Sequence, residues 1–458
     1  MNHPQTALVI GASMSGLLAA RVLADFFQQV IIIERDALPS TAISRKGVPQ
    51  GQHAHALLGR GREILEGFFP GLTHELLGQG AVQGYGRFHS NGGVFCQAPD
   101  APKGIFLSRP CLELAVRGRV QALPNVHIRG NCDVLDLITT ADHSRVTGLR
   151  IRPRQAGASE EQVGAEWVVD ASGRGSRTPA WIEAIGYTKP EVELVEVGMG
   201  YTTRFYHREP GHFNGDVMVN ISPTPQNQRA CGMMAQEGNR WIVTLAGYFG
   251  NHPPTDEAGY LEFARSLAIL DVYNVIHRAT PLTEPVTFKF PANQRRHYEK
   301  LARFPEGLLV LGDAICSFTP IYGQGMTVAA IEATVLRDCL SQGVVDLAAR
   351  FFRQASRVID IPWNITVGND LRLTPNPQFS LPRRFINWYI GKLQVAARHD
   401  PELSLAFMKV ANLFLPPPSL LRPRLAWRVL RGNLRLARQR QEATIHPDVH
   451  TTPSERTY

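Results

Sequence analysis

The chain has 458 residues, with 48 Lys and Arg against 40 Asp and Glu, six Cys, and 44% hydrophobic residues. That length predicts about two or three domains around a sizeable core, and the ordinary composition excludes disordered, collagen-like and disulfide-scaffold proteins. No apolar run approaches the ~18 residues of a membrane-spanning helix, and the N-terminus lacks the pattern of a secretory signal. The scattered cysteines fit a reducing compartment, so we expect a cytoplasmic protein.

The net charge of +8 has a local origin. Residues 403–441 contain eight Lys and Arg and no Asp or Glu, so the rest of the chain balances at 40 against 40. In this stretch Arg424, Arg428, Arg431, Arg435 and Arg438 recur at helical spacing, beside an apolar face of Trp427, Leu430, Leu434 and Ala437. The favoured interpretation is a helix packed on the body with a solvated arginine face. The alternative is peripheral membrane contact through residues 419–441, and nucleic-acid binding is least favoured because no aromatic residues are interleaved with the arginines.

In chain order, the periodicity first predicts a strand at residues 5–10, a helix at 17–27 and a strand at 30–33, which together form a βαβ unit. A helix at 107–123 and strands at 126–128, 132–138, 146–151 and 167–170 complete an α/β block. Residues 193–290 carry strand-like runs separated by turns, which is typical of an antiparallel sheet. A strand at 307–313, a helix at 326–342 and a helical region after about 345 follow.

These elements predict an α/β fold with a Rossmann-like domain and an inserted antiparallel β-sheet domain. The expected boundaries are 1–185 and 291–345 for the two parts of the first domain, 186–290 for the inserted domain, 346–445 for a helical C-terminal region, and 446–458 for a tail.

Three motifs carry chemistry. In the first, Gly11-Ala12-Ser13-Met14-Ser15-Gly16 joins a strand to a helix, and Glu34 ends the next strand. Such a turn presents helix N–H groups to a pyrophosphate, and the acid can accept a hydrogen bond from a ribose hydroxyl. Dinucleotide binding is therefore favoured over a purely structural turn, although Ser13 stands where the usual fingerprint has glycine.

The second motif is an apolar strand that ends in Gly312-Asp313 and continues through Pro320 to the loop Gly323-Gln324-Gly325-Met326. An acid at a strand end can accept from ribityl hydroxyls, and bare amides at a helix start suit an anionic acceptor. In the third motif, residues 168–177, a strand leads into Asp170 and two arginines that would either meet phosphate or remain solvated.

This order of motifs resembles FAD-dependent aromatic hydroxylases and their relatives, over about the whole chain. Two stretches look like squalene-epoxidase-like enzymes and bacterial polyether epoxidases. The first is residues 45–58, from Arg45-Lys46-Gly47 to Leu57-Leu58, and the second is Pro291-Ala292-Asn293 with the loop at 318–326. The resemblance implies FAD as cofactor, bound by a glutathione-reductase-type domain. Motifs and resemblance together assign to it Gly11, Ser13, Met14, Ser15, Gly16, Glu34, Arg35, Arg45, Gln50, Arg109, Asp170, Gly312, Asp313, Pro320, Gly323, Gln324, Gly325 and Met326.

The implied activity is a monooxygenase that inserts one oxygen atom from O2 into an apolar metabolite through a flavin C4a-hydroperoxide, with alkene epoxidation favoured. Such chemistry needs a water-poor chamber. Its predicted wall residues are Tyr201, Phe205, Met218, Met233, Trp241, Tyr248 and Phe249. The substrate would be polyene or prenylated, and NAD(P)H would reduce the flavin directly or through a separate reductase.

The alternatives are a flavin-dependent hydroxylase, a prenyl-chain reductase, and a membrane-associated binding protein without enzyme activity. A halogenase is disfavoured because Trp241 lacks a partner tryptophan. His53 and His55, two residues apart, point to opposite sides of an extended chain, so we expect loop or surface hydrogen bonding rather than metal binding.

Overall fold

The computed structural model describes residues 5–374 and 378–445. They form two compact units, one from residues 5–87 and 103–374 and the other from residues 88–102 and 378–445. The domain boundaries expected from the sequence stay predictions, and the tail at 446–458 lies outside the described residues. None of the described helices is both long and apolar enough to cross a membrane.

The strands are β1 (Thr6–Ile10), β2 (Gln29–Ile33), β3 (Val82–Gly84), β4 (Gly86–Ser90), β5 (Gly93–Val94), β6 (Gly104–Phe106), β7 (Val126–Arg129), β8 (Cys132–Thr139), β9 (Val146–Pro153), β10 (Glu161–Gly164), β11 (Trp167–Asp170), β12 (Val192–His207), β13 (Met218–Ile221), β14 (Arg229–Gln236), β15 (Arg240–Gly247), β16 (Val286–Arg296), β17 (Leu308–Val310) and β18 (Cys316–Ser317). The helices are α1 (Met14–Leu23), α2 (Gly59–Phe68), α3 (Leu72–Gly78), α4 (Arg109–Gln121), α5 (Thr178–Ala184), α6 (Glu257–Arg265), α7 (Asp271–Ile276), α8 (Gly325–Leu340), α9 (Leu347–Leu373), α10 (Leu381–Ala396), α11 (Pro401–Ala411) and α12 (Pro423–Ile445).

A five-stranded parallel sheet in the order β17-β11-β1-β2-β7 organises the first unit. Strands β1, β11 and β17 are short and almost wholly buried, which explains their continuous apolar sequences. All five strands run in the same direction, so the glycine turn after β1, Glu34 after β2 and Gly312 after β17 emerge at one edge. Helices α1 and α8 pack against each other beside this sheet. The predicted α/β fold class is confirmed.

A second, antiparallel sheet runs in the order β18-β16-β12-β15-β14-β13. Strand β18 pairs with β16 through Gln294 and Arg295, and it follows directly after the Gly312–Ala314 turn. The antiparallel sheet is thereby attached to the end of the parallel sheet that carries the predicted site. Helices α6 and α7, which the strand pattern of residues 193–290 did not predict, pack on one face of it.

In the second unit, α10, α11 and α12 pack together. Tyr389 and Leu393 of α10, Leu403 of α11 and Val429 of α12 are buried, and the Tyr389 hydroxyl donates to the carbonyl oxygen of Leu420 at 2.7 Å. The end of β4 pairs with β5 in the same unit.

Candidate active site

The glycine turn between β1 and α1 needs both of its glycines. Gly11 has φ +97°, and a Cβ there would lie 2.8 Å from the carbonyl oxygen of Ala171. A Cβ on Gly16 would overlap the carbonyl oxygen of Gly11. Ser13 precedes α1 in extended conformation, and its Oγ accepts a hydrogen bond from Arg109 Nη2 at 3.0 Å. The serine that breaks the usual glycine fingerprint therefore anchors a buried arginine, and α1 begins at Met14 and Ser15 without a side-chain cap among the described contacts.

Glu34 is buried at the end of β2 and closes over the glycine turn. Its Oε2 accepts from the Ala12 amide at 2.7 Å, and its Oε1 accepts from the Asp36 amide at 3.0 Å. Arg45 holds this carboxylate at 3.2 Å and also contacts Asp36 at 3.0 Å and Glu113 at 2.8 Å. The sequence places Arg45 near the cofactor, and the structure shows it fixing the acid of the first motif.

The charges around Arg45 explain its electrostatics. Burial by itself lowers the pKa of Arg45, but the carboxylates of Glu113 and Glu34 outweigh burial, so the net pKa is raised. Arg45 Nη2 is buried and has no hydrogen-bond partner in the described part of the chain. Arg35, the other basic residue assigned here, is exposed.

Asp313 occupies the turn after β17, opposite the start of α1. Gly312 has φ +69°, its amide donates to Glu332 Oε2 at 2.6 Å, and a Cβ on it would collide with Ser15. Asp313 itself is partly exposed and accepts no hydrogen bond from the described residues. Desolvation raises the pKa of Asp313, opposed by the charges of Arg109 and Arg174. Its carboxylate is thus held near two arginines with its hydrogen-bonding capacity unused.

Arg109 stands between these two turns. It is buried, and its Nη2 lies 3.6 Å from Glu113 Oε2. Its Nε has no hydrogen-bond partner in the described residues. Desolvation lowers its pKa, opposed by Glu113 and Asp313. A buried guanidinium with an unused donor is costly unless a ligand completes it, so this atom marks a place for an acceptor group.

The loop that leads into α8 is tied to a buried aspartate that the sequence reading missed. Asp370 of α9 accepts hydrogen bonds from Tyr248 at 3.1 Å, Tyr322 at 2.8 Å, Asn293 at 2.7 Å and Thr319 at 2.6 Å. Burial raises the pKa of Asp370, and the four hydrogen bonds oppose that rise. This one carboxylate therefore joins α9 and β16 to the loop that contains Pro320.

Two further contacts set the shape of the same loop. Gln324 is buried, and its Oε1 accepts from Thr366 Oγ1 of α9 at 2.8 Å. Gly323 has φ +63°, and a Cβ there would lie 3.0 Å from the Ala56 Cβ. Gly325 and Met326 start α8, and a Cβ on Gly325 would be 3.7 Å from Asp313 Oδ1. The second motif thus brings Asp313 and the start of α8 together.

The segment from Gln50 to Ala56 crosses from the antiparallel sheet to this loop. Gln50 is half-buried in a short helical turn, Pro49–Gln52. His53 is buried, not on the surface, and its Nδ1 hydrogen bonds with Thr203 Oγ1 at 2.8 Å. Burial lowers the pKa of His53 to about 4 and that of His55 to about 3, and Arg109 also contributes to the second shift. Both rings are therefore neutral at pH 7.

One face of the antiparallel sheet forms an apolar wall beside the loop. Its members are Val197, Met199, Tyr201, Ala230, Ala246, Tyr248, Phe290 and Leu373, with Phe249, Phe288 and Ile321 packed against them. Tyr201 meets the edge of the His53 ring at a centroid distance of 4.6 Å, and its hydroxyl is buried with no partner among the described residues. Of the predicted pocket residues, Tyr201, Tyr248 and Phe249 thus come together.

The other predicted pocket residues do not belong to this wall, and only Met233 and Trp241 lie on the opposite face of the sheet. Met233 and Trp241 lie in the core between the opposite sheet face and helices α6 and α7, and Trp241 Nε1 donates to His212. Side chains alternate across a strand, and the sequence did not reveal which face meets the loop. Phe205 lies half-buried under Arg240, and Met218 is buried against Gly86.

The third motif organises its own turn. The Asp170 carboxylate accepts from the Ser172 amide, Ser176 Oγ and Thr178 Oγ1, at 2.9, 2.5 and 2.6 Å. Those bonds give Asp170 a structural role, and direct cofactor contact by Asp170 stays a prediction. Arg174 donates to Ser317 Oγ at 3.2 Å and lies 5.0 Å from the Phe290 ring centroid.

These features fit FAD. The N-terminal ends of α1 and α8 both face the Asp313 turn, and neither has an acidic residue in its first turn. The start of α1 therefore suits an anionic pyrophosphate, and the start of α8 suits the electron-rich edge of a flavin ring. Arg109 Nε and Asp313 supply an unused donor and an unused acceptor. Among residues 5–374 and 378–445, no group of three or more His, Cys, Asp or Glu is placed to hold a metal ion.

The fold is that of flavin-dependent monooxygenases and halogenases. The flavin-dependent brominase Bmp2 superposes with a TM-score of 0.66 over 96% of this chain and 100% of its own, at 14% identity. The p-nitrophenol 4-monooxygenase PnpA from Pseudomonas putida superposes with a TM-score of 0.62 over 90% of this chain and 99% of its own, at 17% identity. A particular closeness to squalene-epoxidase-like enzymes is not shown.

By sequence, the chain is 32% identical to Protein Rv3254 of Mycobacterium tuberculosis over 433 residues, which cover 90% of each protein. It is 26% identical to kynurenine 3-monooxygenase of Salinispora arenicola over 384 residues, 77% of this chain and 76% of the relative. No family model matches the sequence. The chain belongs to the family of Protein Rv3254.

Proposed function

We propose that this protein is an FAD-dependent monooxygenase that inserts one oxygen atom from O2 into an apolar metabolite. The observation that carries the proposal is the convergence of the Gly11–Gly16 turn, Glu34, Arg109 and the Asp313 turn at one edge of the parallel sheet. Every element of that edge offers what a dinucleotide needs: bare amides, an acid and a buried cation.

Different residues of this site would contact different parts of FAD. Glu34, fixed by Ala12 and Arg45, lies where the adenosine ribose of a dinucleotide lies in such a βαβ unit. The start of α1 would hold the pyrophosphate, while Arg109 and Asp313 would hold the chain that links it to the flavin ring. Gly323–Met326 would border the ring itself. Bound FAD would supply the oxygen chemistry, with NAD(P)H or a separate reductase as the electron source.

The apolar wall supports a hydrocarbon-rich substrate. It is built from aliphatic and aromatic side chains, and Ile321 of the loop packs against it, so a substrate bound at this wall would be shielded from water. His53 lies against this wall and is neutral at pH 7, so it is not poised to donate a proton there. Alkene epoxidation, which asks little acid–base help of the protein, therefore remains our first choice within the oxygenation class.

Aromatic hydroxylation is the second candidate. It is favoured by the 26% identity to a kynurenine 3-monooxygenase and by the unpartnered Tyr201 hydroxyl, which can donate to an oxygen of a polar aromatic substrate. A prenyl-chain reductase would use the same apolar wall without oxygen transfer.

Isotopic oxygen separates these chemistries. The FAD-loaded protein is incubated with a reductant under ¹⁸O2, with apolar polyenes in one set and arenes in another, and products are examined by mass spectrometry. We expect one labelled oxygen atom per product, as an epoxide from the polyenes. A phenol would select hydroxylation, whereas a reduced or unlabelled product would refute the monooxygenase proposal.

A further inference from the structure

Helices α10 and α12 expose large apolar side chains in ordered rows. On α10, Leu381, Phe385 and Trp388 follow at intervals of four and three residues, with Leu381 78% and Trp388 58% exposed. On α12, Trp427, Leu430 and Leu434 follow at three and four, with Trp427 64% exposed. Each row is one helix face, so the exposure is patterned and not scattered.

The rotation of α12 is fixed by ion pairs to α11. Arg428 contacts both oxygens of Asp400 at 2.8 Å, and Arg424 contacts Glu402 at 2.9 Å. With those arginines turned toward α11 and Val429 buried, Trp427 points outward. The sequence favoured a packed helix with a solvated arginine face. Arg431, Arg435 and Arg438 are exposed, whereas Arg428 is paired with Asp400 and the apolar row of α12 is exposed as well.

The two helices that carry these rows cross at close range. Asn433 Nδ2 of α12 donates to the backbone oxygen of Lys392 on α10 at 3.0 Å. A Cβ on Gly432 would lie 3.1 Å from the Ala396 Cβ, so the backbones approach closely at this crossing. The row Trp427, Leu430 and Leu434 lies on the side of α12 opposite Gly432, so it is turned outward from this crossing. We use the name α10–α12 face for the exposed apolar side chains of these two helices.

Cations accompany the apolar side chains on this face. Arg384, Lys392, Arg431, Arg435 and Arg438 are exposed, and none forms a salt bridge within the described residues. Across residues 88–102 and 378–439 there are eleven Lys and Arg against three Asp and Glu. A partner of the α10–α12 face must therefore present negative charge and accept tryptophan and leucine.

We infer that the α10–α12 face docks on an anionic phospholipid surface. Tryptophan is favoured at the boundary between headgroups and acyl chains, while the arginines pair with lipid phosphates. A second copy of the chain is disfavoured, because a symmetric contact would oppose arginine to arginine. Nucleic acid would match the charge but leave the leucines without a partner. The inference goes beyond the proposed function and does not depend on it.

Vesicle flotation of the full-length protein tests the inference directly. Vesicles of phosphatidylcholine and phosphatidylglycerol in equal parts are compared with vesicles of phosphatidylcholine alone. We expect flotation with the anionic vesicles and strong loss of it at high salt. Tryptophan emission gives a second readout: Trp388 and Trp427 are exposed while Trp167, Trp181, Trp241 and Trp363 are buried, so binding should shift the emission to the blue.

Two sets of variants resolve the apolar and the charged contribution. Trp427→Ser/Leu430→Ser/Leu434→Ser should abolish flotation, and Arg431→Gln/Arg435→Gln/Arg438→Gln should weaken it roughly a hundredfold. The matched controls are Ile43→Ser/Leu194→Ser/Val345→Ser and Arg152→Gln/Lys189→Gln/Arg265→Gln, exposed residues of the first unit whose replacement should leave flotation unchanged. All twelve side chains are exposed, and circular dichroism checks the fold of each variant.

Several outcomes would overturn the inference. These are no flotation with anionic vesicles, equal flotation with both lipid compositions, or equal weakening by the control variants. A concentration-dependent dimer that the apolar variant abolishes, without vesicle binding, would instead assign the α10–α12 face to a second copy. Binding to DNA but not to vesicles would assign it to nucleic acid.

Discussion

At the scale of single residues, Glu332 is a buried carboxyl group with a raised pKa. It is fully buried in α8, with Oε2 on the Gly312 amide and Oε1 without a partner in the described structure. Desolvation raises its pKa from 4.5 to about 8, with the Gly312 amide opposing and Asp313 contributing. The residue beneath the Asp313 turn is thus a neutral acid at pH 7.

This shift makes stability depend on pH. Because the folded-state pKa is the higher one, the group stabilises the fold fully below about pH 4.5 and loses that contribution as the pH rises toward 8. Glu332→Gln removes the titration. Between pH 5 and pH 8 we expect the free energy of unfolding of the wild type to fall by about 3 kcal/mol relative to this variant. Thermal melts across that range measure the effect, and the exposed Glu262→Gln variant, as control, should follow the wild type. If the stability of the wild type and of Glu332→Gln changes with pH in parallel, the idea is wrong.

Arg109 makes the sharpest prediction for cofactor affinity. Arg109→Gln removes the charge beside Asp313 and the hydrogen bond to Ser13. We expect FAD affinity to fall by about 2 kcal/mol, a factor of roughly 30, because a charge-assisted contact in a buried site is lost. Titration by flavin fluorescence measures it. Arg119→Gln, on the same helix and paired with Glu75 at the surface, should bind FAD like the wild type.

At the scale of elements, the turn between β1 and α1 depends on close approach. Gly16→Ala places a methyl group on the Gly11 carbonyl, so we expect about 2 kcal/mol loss of stability and weaker FAD binding. Gly118→Ala is the matched control, since Gly118 lies within α4 with no described atom within 4 Å of a new Cβ. That change should stabilise by up to about 1 kcal/mol. Equal effects of the two substitutions in denaturant melts would contradict the role assigned to Gly16.

The loop before α8 depends in the same way on Asp370. Asp370→Asn keeps the size but turns an amide toward some of the four donors, so we expect about 2 kcal/mol loss of stability and weaker FAD binding. Calorimetry and flavin titration measure the two effects. Asp338→Asn, exposed on α8, should change neither. A variant that melts and binds like the wild type would show that the loop does not need this carboxylate.

The elements also show what the sequence can reveal. The bounds of β1, β2 and β11 were predicted within one residue, because short apolar runs between turns have one interpretation. Asp370 could not be found, since its four donors lie 48 to 122 residues away in the chain. The pair Arg109 and Glu113, four residues apart on α4, could have been recognised from helical spacing.

At the scale of the molecule, the sequence indicated the fold class and the location of the excess charge. It did not determine which face of a strand or helix is buried, because alternation offers two equivalent faces until a partner is known. For that reason Met233 and Trp241 were assigned to a chamber they do not face, and the apolar side of α12 was expected to be inside. The buried face of the strands and the buried face of α12 both depend on contacts between elements that are distant in the chain.

The central claim, that the edge of the parallel sheet holds FAD, is tested most directly by the visible spectrum of the purified protein after incubation with FAD and removal of the free cofactor. The account predicts flavin absorption near one FAD per chain, strongly reduced in Arg109→Gln and unchanged in Arg119→Gln. A folded protein that stays colourless, or one that retains FAD equally in both variants, would contradict it.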